Sequence, residues 1–276
     1  MGLRGANAHN GDMRRHPTRG FVFTILAGAA AVGGAAAAFL LGPLWAIAGV
    51  VAGPPLAMLV FSVVFACTVP DPVTHLTNKE PYRALTEVDR ILPAWRDMAG
   101  KWPGQFREPL ATQLLIRAEA LHALHRGPQA LQPSAEAVAI YRDLAARNPG
   151  KFTPGLAAAL HRQANLLAAN DREQEAIAAA EVAARLYRGL AGPERYLPYL
   201  ADALLLMGGL LISQDRCLEA FRPLARGWKL ATDTEQEDLL TDAAPAVKAA
   251  CRADESVFRS VWRTETGADP PDWLTG

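Results

Sequence analysis

Residues 20–70 contain no Asp, Glu, Lys or Arg. An uncharged run of that length is too long for a soluble core helix and long enough for two membrane spans. Cysteine is scarce. Cys67, Cys217 and Cys251 are an odd number with no close pair, which excludes a disulfide framework and a zinc pattern and fits a reducing compartment. Net charge is absent as well, at +0, so the basic footprint of a nucleic-acid binder is missing and no nucleic-acid partner is expected. Phosphate-loop, nucleophile-elbow, zincin and dinucleotide signatures are all lacking. His122 and His125 stand three apart and share a helix face, but no nearby Cys, His or carboxylate completes a metal set. No catalysis, cofactor or metal is expected.

What is present begins with the apolar run itself. At ~1.5 Å per residue, residues 20–41 form a helix of ~33 Å, enough for a bilayer core. Gly42-Pro43-Leu44 reads as a turn, with Trp45 at the interface. A second span covers about residues 45–67, kinked at Pro54 and Pro55. Gly49 and Gly53 form a GxxxG pair, which suits closure of the hairpin on itself or pairing with a second copy. Arg4, Arg14, Arg15 and Arg19 precede the first span against a single Asp12, and Lys79 and Arg83 follow the second. The positive-inside rule then places both termini on the cytoplasmic side of the cell membrane. Read as a twin-arginine export signal, Arg14-Arg15 is followed by His16-Pro17 and by a second apolar run without a clear cleavage site.

Beyond the run, small residues recur at fixed spacing. Ala118, Ala130 and Ala137, then Ala164, Ala176 and Ala183, then Gly208, Ala220 and Gly227 each step by 12 and then 7. Two antiparallel helices need small side chains where their backbones approach closest. A shift of 46 aligns Ala94-Trp95-Arg96-Asp97-Met98 with Ile140-Tyr141-Arg142-Asp143-Leu144, and Trp102-Pro103-Gly104 with Asn148-Pro149-Gly150. The next copy is two residues shorter. Such periodicity marks a solenoid of helical hairpins. The pattern predicts that Asp171 caps the helix after it, with Gln174 closing a capping box. Pro133 is expected to delay the start of its helix. Trp95, Tyr141 and Tyr187 recur near the ends of second helices and suit packing between repeats.

The small positions, Glu175-Ala176 and Glu219-Ala220, and the aromatic near each second helix's end resemble the tetratricopeptide repeat (TPR) family. The 44–46 spacing departs from the family's usual length and resembles the elongated form found in actinobacterial members. The extra residues fall between one hairpin and the next, at NPGKFTPGLA and GPERYLPYLA. The chain then reads as all-α: a basic cytoplasmic tail (1–19), a transmembrane hairpin (20–70), a linker (71–82), an α-solenoid of TPR-like hairpins (83–232), and closing helices with a tail (233–276). Residues 83–98 form a lone second helix; 235–252 and 255–264 are the closing helices, and Trp273 folds back on the last of them.

The resemblance implies a groove lined by first helices. In the family's register its inward positions are Thr112, Leu115, Glu119 and His122; Ala158, His161, Asn165 and Ala168; and Asp202, Leu205, Gly209 and Ile212. His161, Arg162 and Asn165 resemble residues with which some members clamp a peptide's terminal carboxylate, although the clamp's other basic positions are unmatched. The expected function is a membrane-anchored scaffold that docks a protein or peptide in this groove. The alternative is an accessory or assembly subunit of a membrane complex, acting through its transmembrane hairpin.

Overall fold

The computed structural model describes residues 80–190, 192, 194–271 and 274. The expected tail and transmembrane hairpin, with Gly49 and Gly53, lie outside the described residues, as does Trp273. All the described residues belong to one compact unit, Pro72–Gly276. They are helical throughout, with no strand among them: α1 Pro81–Lys101, α2 Pro103–Ala123, α3 Gly127–Arg147, α4 Pro149–Ala168, α5 Glu173–Leu190, a short 3-10 turn Glu194–Tyr196, α6 Leu197–Ser213, α7 Cys217–Asp233, α8 Glu237–Ala253 and α9 Glu255–Thr266. This is an all-α repeat stack.

Two local rules build it. From α1 to α2 and from α3 to α4 the chain turns on one residue. Trp102 (φ −132°, ψ 68°) and Asn148 (φ −143°, ψ 83°) leave the helical region. Each precedes a proline, whose ring disfavours the α conformation at the residue before it. That proline then opens the next helix, where its missing N–H costs nothing. In this copy the extra length is therefore helix: NPGKFTPGLA, after its first residue Asn148, is the N-terminal part of α4.

Within each pair, the turn runs through a left-handed residue. His125 (φ 57°), Asp171 (φ 58°) and Asp215 (φ 55°) occupy equivalent places. The N–H groups of Arg126, Arg172 and Arg216 reach back to the carbonyls of Leu121, Leu167 and Leu211 at 2.9, 3.0 and 2.9 Å. This is the Schellman arrangement, closing the first helix with a non-glycine residue. Asp171 therefore ends α4 and does not cap α5, and Gln174 donates to Gln214 in the next hairpin's turn at 2.6 Å. The arginine after each left-handed residue clasps the side chain three positions on. Arg172 meets Glu175 with two bonds of 2.7 Å, Arg216 meets Glu219 at 2.8 and 2.7 Å, and Arg126 meets Gln129 at 2.7 Å.

Pro133 does not delay α3, which starts at Gly127 and carries Pro133 inside it. A helix tolerates the lost hydrogen bond when packing supplies the difference, and Pro133 and Ser134 are both fully buried. Likewise α1 runs three residues past 98, through Pro93. One described stretch, Glu194–Ser213, is apolar and long enough to cross a membrane by composition. It contains α6, whose apolarity is matched by packing on α5, α7 and α8.

The ladder residues sit between the helices. The seven alanines are fully buried, and a Cβ on Gly208 or Gly227 would lie 2.5 Å from Leu224 Cγ or 2.9 Å from Leu205 Cγ. Between repeats, Trp95 packs on Phe106 with ring centroids 5.9 Å apart, and Tyr187 stacks on Tyr199 at 5.8 Å. Tyr141 lies against Gly155, where a Cβ would come within 2.5 Å of the ring. That close approach is what the glycine at 155 serves.

The closing pair departs from the repeat. The link from α7 to α8 takes the left-handed form, through Glu235 (φ 56°), which therefore belongs to the turn and not to the helix. The link from α8 to α9 takes the single-residue form, through Asp254 (φ −156°), whose side chain accepts from the Val257 N–H. The two link types have changed places. In consequence α9 packs on α7, with Phe221 edge-on to Phe258 at 5.4 Å, Trp228 beside Trp262 at 6.1 Å and Arg222 bonded to Glu265 at 2.6 Å.

Candidate functional site

First helices α2, α4, α6 and α8 each touch the next along the stack, whereas α3 and α5, or α5 and α7, make no comparable contact. The first-helix side is accordingly the inner curve. Its polar residues pair with one another across the repeats. Lys151 on α4 meets Glu108 on α2 at 3.1 Å, and Arg162 on α4 pairs with Glu119 on α2. Burial lifts the Glu119 carboxyl above its ordinary range, and the Arg162 guanidinium opposes that lift. Thr112 bonds the Tyr141 hydroxyl at 3.1 Å, and burial raises that phenol.

His161 is 9% exposed, and its Nε2 lies 3.1 Å from Asp202 Oδ2 on α6. Its Nδ1 is buried without a hydrogen-bond partner among the described residues. With Arg162 held by Glu119 and His161 held by Asp202, the two basic members of the suspected carboxylate clamp are already engaged by carboxylates of the protein itself. The third, Asn165, is exposed one turn further along α4. His122 is exposed beside the α2–α3 turn and joins none of these pairs.

Past His161 the inner face opens into a cleft of about 300 Å³ between α4, α6 and α8. Asn165, Asp202, Leu205, Leu206, Gly209 and Leu210 line it from the repeats, and Leu239, Asp242, Ala243 and Ala246 line it from α8. Of the expected groove residues, the structure brings Asn165, Asp202 and Leu205 to this cleft and leaves Thr112, Glu119 and His122 toward the other end. The α8 residues escape a reading of the repeats, because α8 lies past their end. Their signal was nonetheless in the sequence: Leu239, Asp242, Ala243 and Ala246 follow the i, i+3, i+4, i+7 stripe of one helix face. Gly209 admits the cleft between α6 and α8, since a Cβ there would meet only Ala246 Cβ, at 3.9 Å.

No group of three or more His, Cys, Asp or Glu among the described residues is placed to hold a metal ion. Burial raises the Cys251 thiol, which disfavours the reactive thiolate. The cleft's lining is apolar at Leu205, Leu206, Leu210 and Leu239, with a few polar groups at Asn165, Asp202 and Asp242, a composition common to binding clefts.

No family model matches the chain, and no curated protein matches it. Solved structures do. Two crystal structures of TPR-like repeats from a Podosopora anserina protein described as a putative kinesin light chain resemble it, with TM-scores of 0.51 and 0.50. They share 16% and 15% identity over 71% of this chain, covering 93% and 94% of their own. At that identity the likeness establishes the fold: a TPR-like helical repeat.

Proposed function

We propose that this protein is a non-catalytic docking scaffold that receives a segment of a partner protein on its inner face, at the cleft between α4, α6 and α8. The observation that carries the reading is the cleft itself. It is a place on that face where apolar side chains of α6 and α8 line an opening beside Asn165 of α4, while the face's other end is closed by ion pairs between its own helices. The TPR-like fold of the solved neighbours supports it, because stacked hairpins present an extended inner surface.

The uncharged run at 20–70 supports anchoring in the cell membrane as a hairpin, with the repeat unit on the cytoplasmic side. Anchoring restricts the search for a partner to the membrane surface and raises its effective concentration there.

A photo-crosslinking side chain placed at Asn165 or Leu206 tests the docking role against one at Val182 or Arg185, exposed on the second helix α5. Adducts concentrated at 165 and 206 are expected. Adducts at 182 and 185 alone would move the docking surface off the inner face and sink the proposal.

A further inference from the structure

We infer that the cleft between α4, α6 and α8 selects a partner segment carrying an arginine or lysine beside an aliphatic residue. The inference rests on the docking role proposed above and names the chemistry of what docks.

Charge complementarity carries it. On the rest of the inner face, carboxylates are neutralised within the protein, Glu108 by Lys151 and Glu119 by Arg162. The cleft differs. Two carboxylates line it from facing helices, Asp202 on α6 and Asp242 on α8, and no Lys, Arg or His is among its described lining residues. Asp242 is exposed and has no ion-pair or hydrogen-bond partner among the described residues. Asp202 is half-exposed and oriented by the buried His161 ring, 3.1 Å away. Leu206, Leu210 and Leu239 give the same cleft an apolar lining. A long cationic side chain lays its methylene stem on such a floor and its charged head on the acids. A guanidinium gains most, because its fork meets carboxylates with paired, charge-assisted bonds. An acidic segment would meet two like charges there, and a purely apolar one would leave Asp242 covered and unpaired.

A random peptide display library, selected against the full chain, tests this. Sequences enriched in Arg or Lys next to Leu, Ile or Val are expected. Their affinity should fall about three- to tenfold for each of Asp202→Asn and Asp242→Asn, and weaken at high salt. Gly209→Leu, which fills the cleft, should abolish the selection; Leu206→Arg provides the same test should Gly209→Leu melt early. Peptides that depend on Gly209 but show no basic excess overturn the inference and leave the docking role standing. Basic peptides indifferent to both Asn variants also overturn it. No enrichment, or enrichment that neither cleft variant affects, overturns both.

Discussion

Gly208 and Gly209 are neighbours on α6, yet alanine should stabilise at 209 and not at 208. Gly208 faces α7. Its Cβ would fall 2.5 Å from Leu224 Cγ and 2.6 Å from Leu224 Cδ2. Leu224 is fully buried, so its side chain has nowhere to retreat without displacing others. Overpacking of this kind costs ~1–3 kcal/mol, against a gain of ~1 kcal/mol from replacing glycine inside a helix. Gly209 faces α8, with Ala246 Cβ at 3.9 Å as its nearest new contact. Only the gain remains there, ~1 kcal/mol. The two variants should thus differ by about 2 kcal/mol, Gly209→Ala above the wild type and Gly208→Ala at or below it. Equilibrium urea unfolding reads the difference as a shift of midpoint at constant slope. Amide exchange localised to α6 and α7 guards against a stack that unfolds in parts. Two midpoints moved the same way and equally would refute the register that places 208 between α6 and α7 and 209 toward the cleft.

Glu235 holds φ at 56°, a conformation that costs a side chain ~1–2 kcal/mol and glycine nothing. Glu235→Gly should raise the thermal midpoint by an amount equivalent to up to ~1 kcal/mol, after glycine's own entropic cost of ~0.5–1 kcal/mol; a lowered midpoint would contradict the turn. Pro93 is exposed in the interior of α1, so Pro93→Ala should restore a backbone bond and stabilise by ~1–3 kcal/mol in a urea series, and a loss would show that the ring itself packs. Glu119 has a carboxyl raised by burial, so the folded state binds its proton more tightly than the unfolded chain does. Its contribution is therefore greatest at low pH and is lost as pH rises from the ordinary glutamate value through the raised one. Comparing urea midpoints of the wild type and Glu119→Gln across that window should show the difference growing in favour of Gln as pH rises; a difference growing the other way would mean that the Arg162 pair outweighs burial.

The hairpin stack is legible in the sequence because its geometry repeats. A close approach between two helix backbones admits only small side chains, and that demand leaves alanine or glycine at fixed spacing from Ala118 to Gly227. The turns mislead for a physical reason. An aspartate between two helices satisfies the composition of an N-cap and of a left-handed C-terminal residue equally. The Arg after Asp171 is the signal that separates them, since Arg126, Arg172 and Arg216 each clasp the residue three positions on. Pro133 misleads because a lone proline reads as a helix boundary, while burial at that position holds the helix through it. On the inner face, sequence register places Glu119, His161, Arg162 and Asp202 without showing that they pair with one another across repeats. Partners separated in sequence by about forty residues leave no local pattern to read.

The closing pair ties the end of the stack to the cleft. Had α8 and α9 been joined by a left-handed turn, as the earlier pairs are, α9 would have followed α8 as its ordinary second helix. The exchanged links, Glu235 before α8 and Asp254 after it, instead send α9 onto α7, where Phe258 and Trp262 bury their rings. That packing seals the apolar end of α7, which a solenoid must cover. It asks little of α8, whose stripe of Leu239, Asp242, Ala243 and Ala246 stays turned toward α6 and forms the far wall of the cleft. One device thus terminates the repeats and leaves an inner surface unfilled.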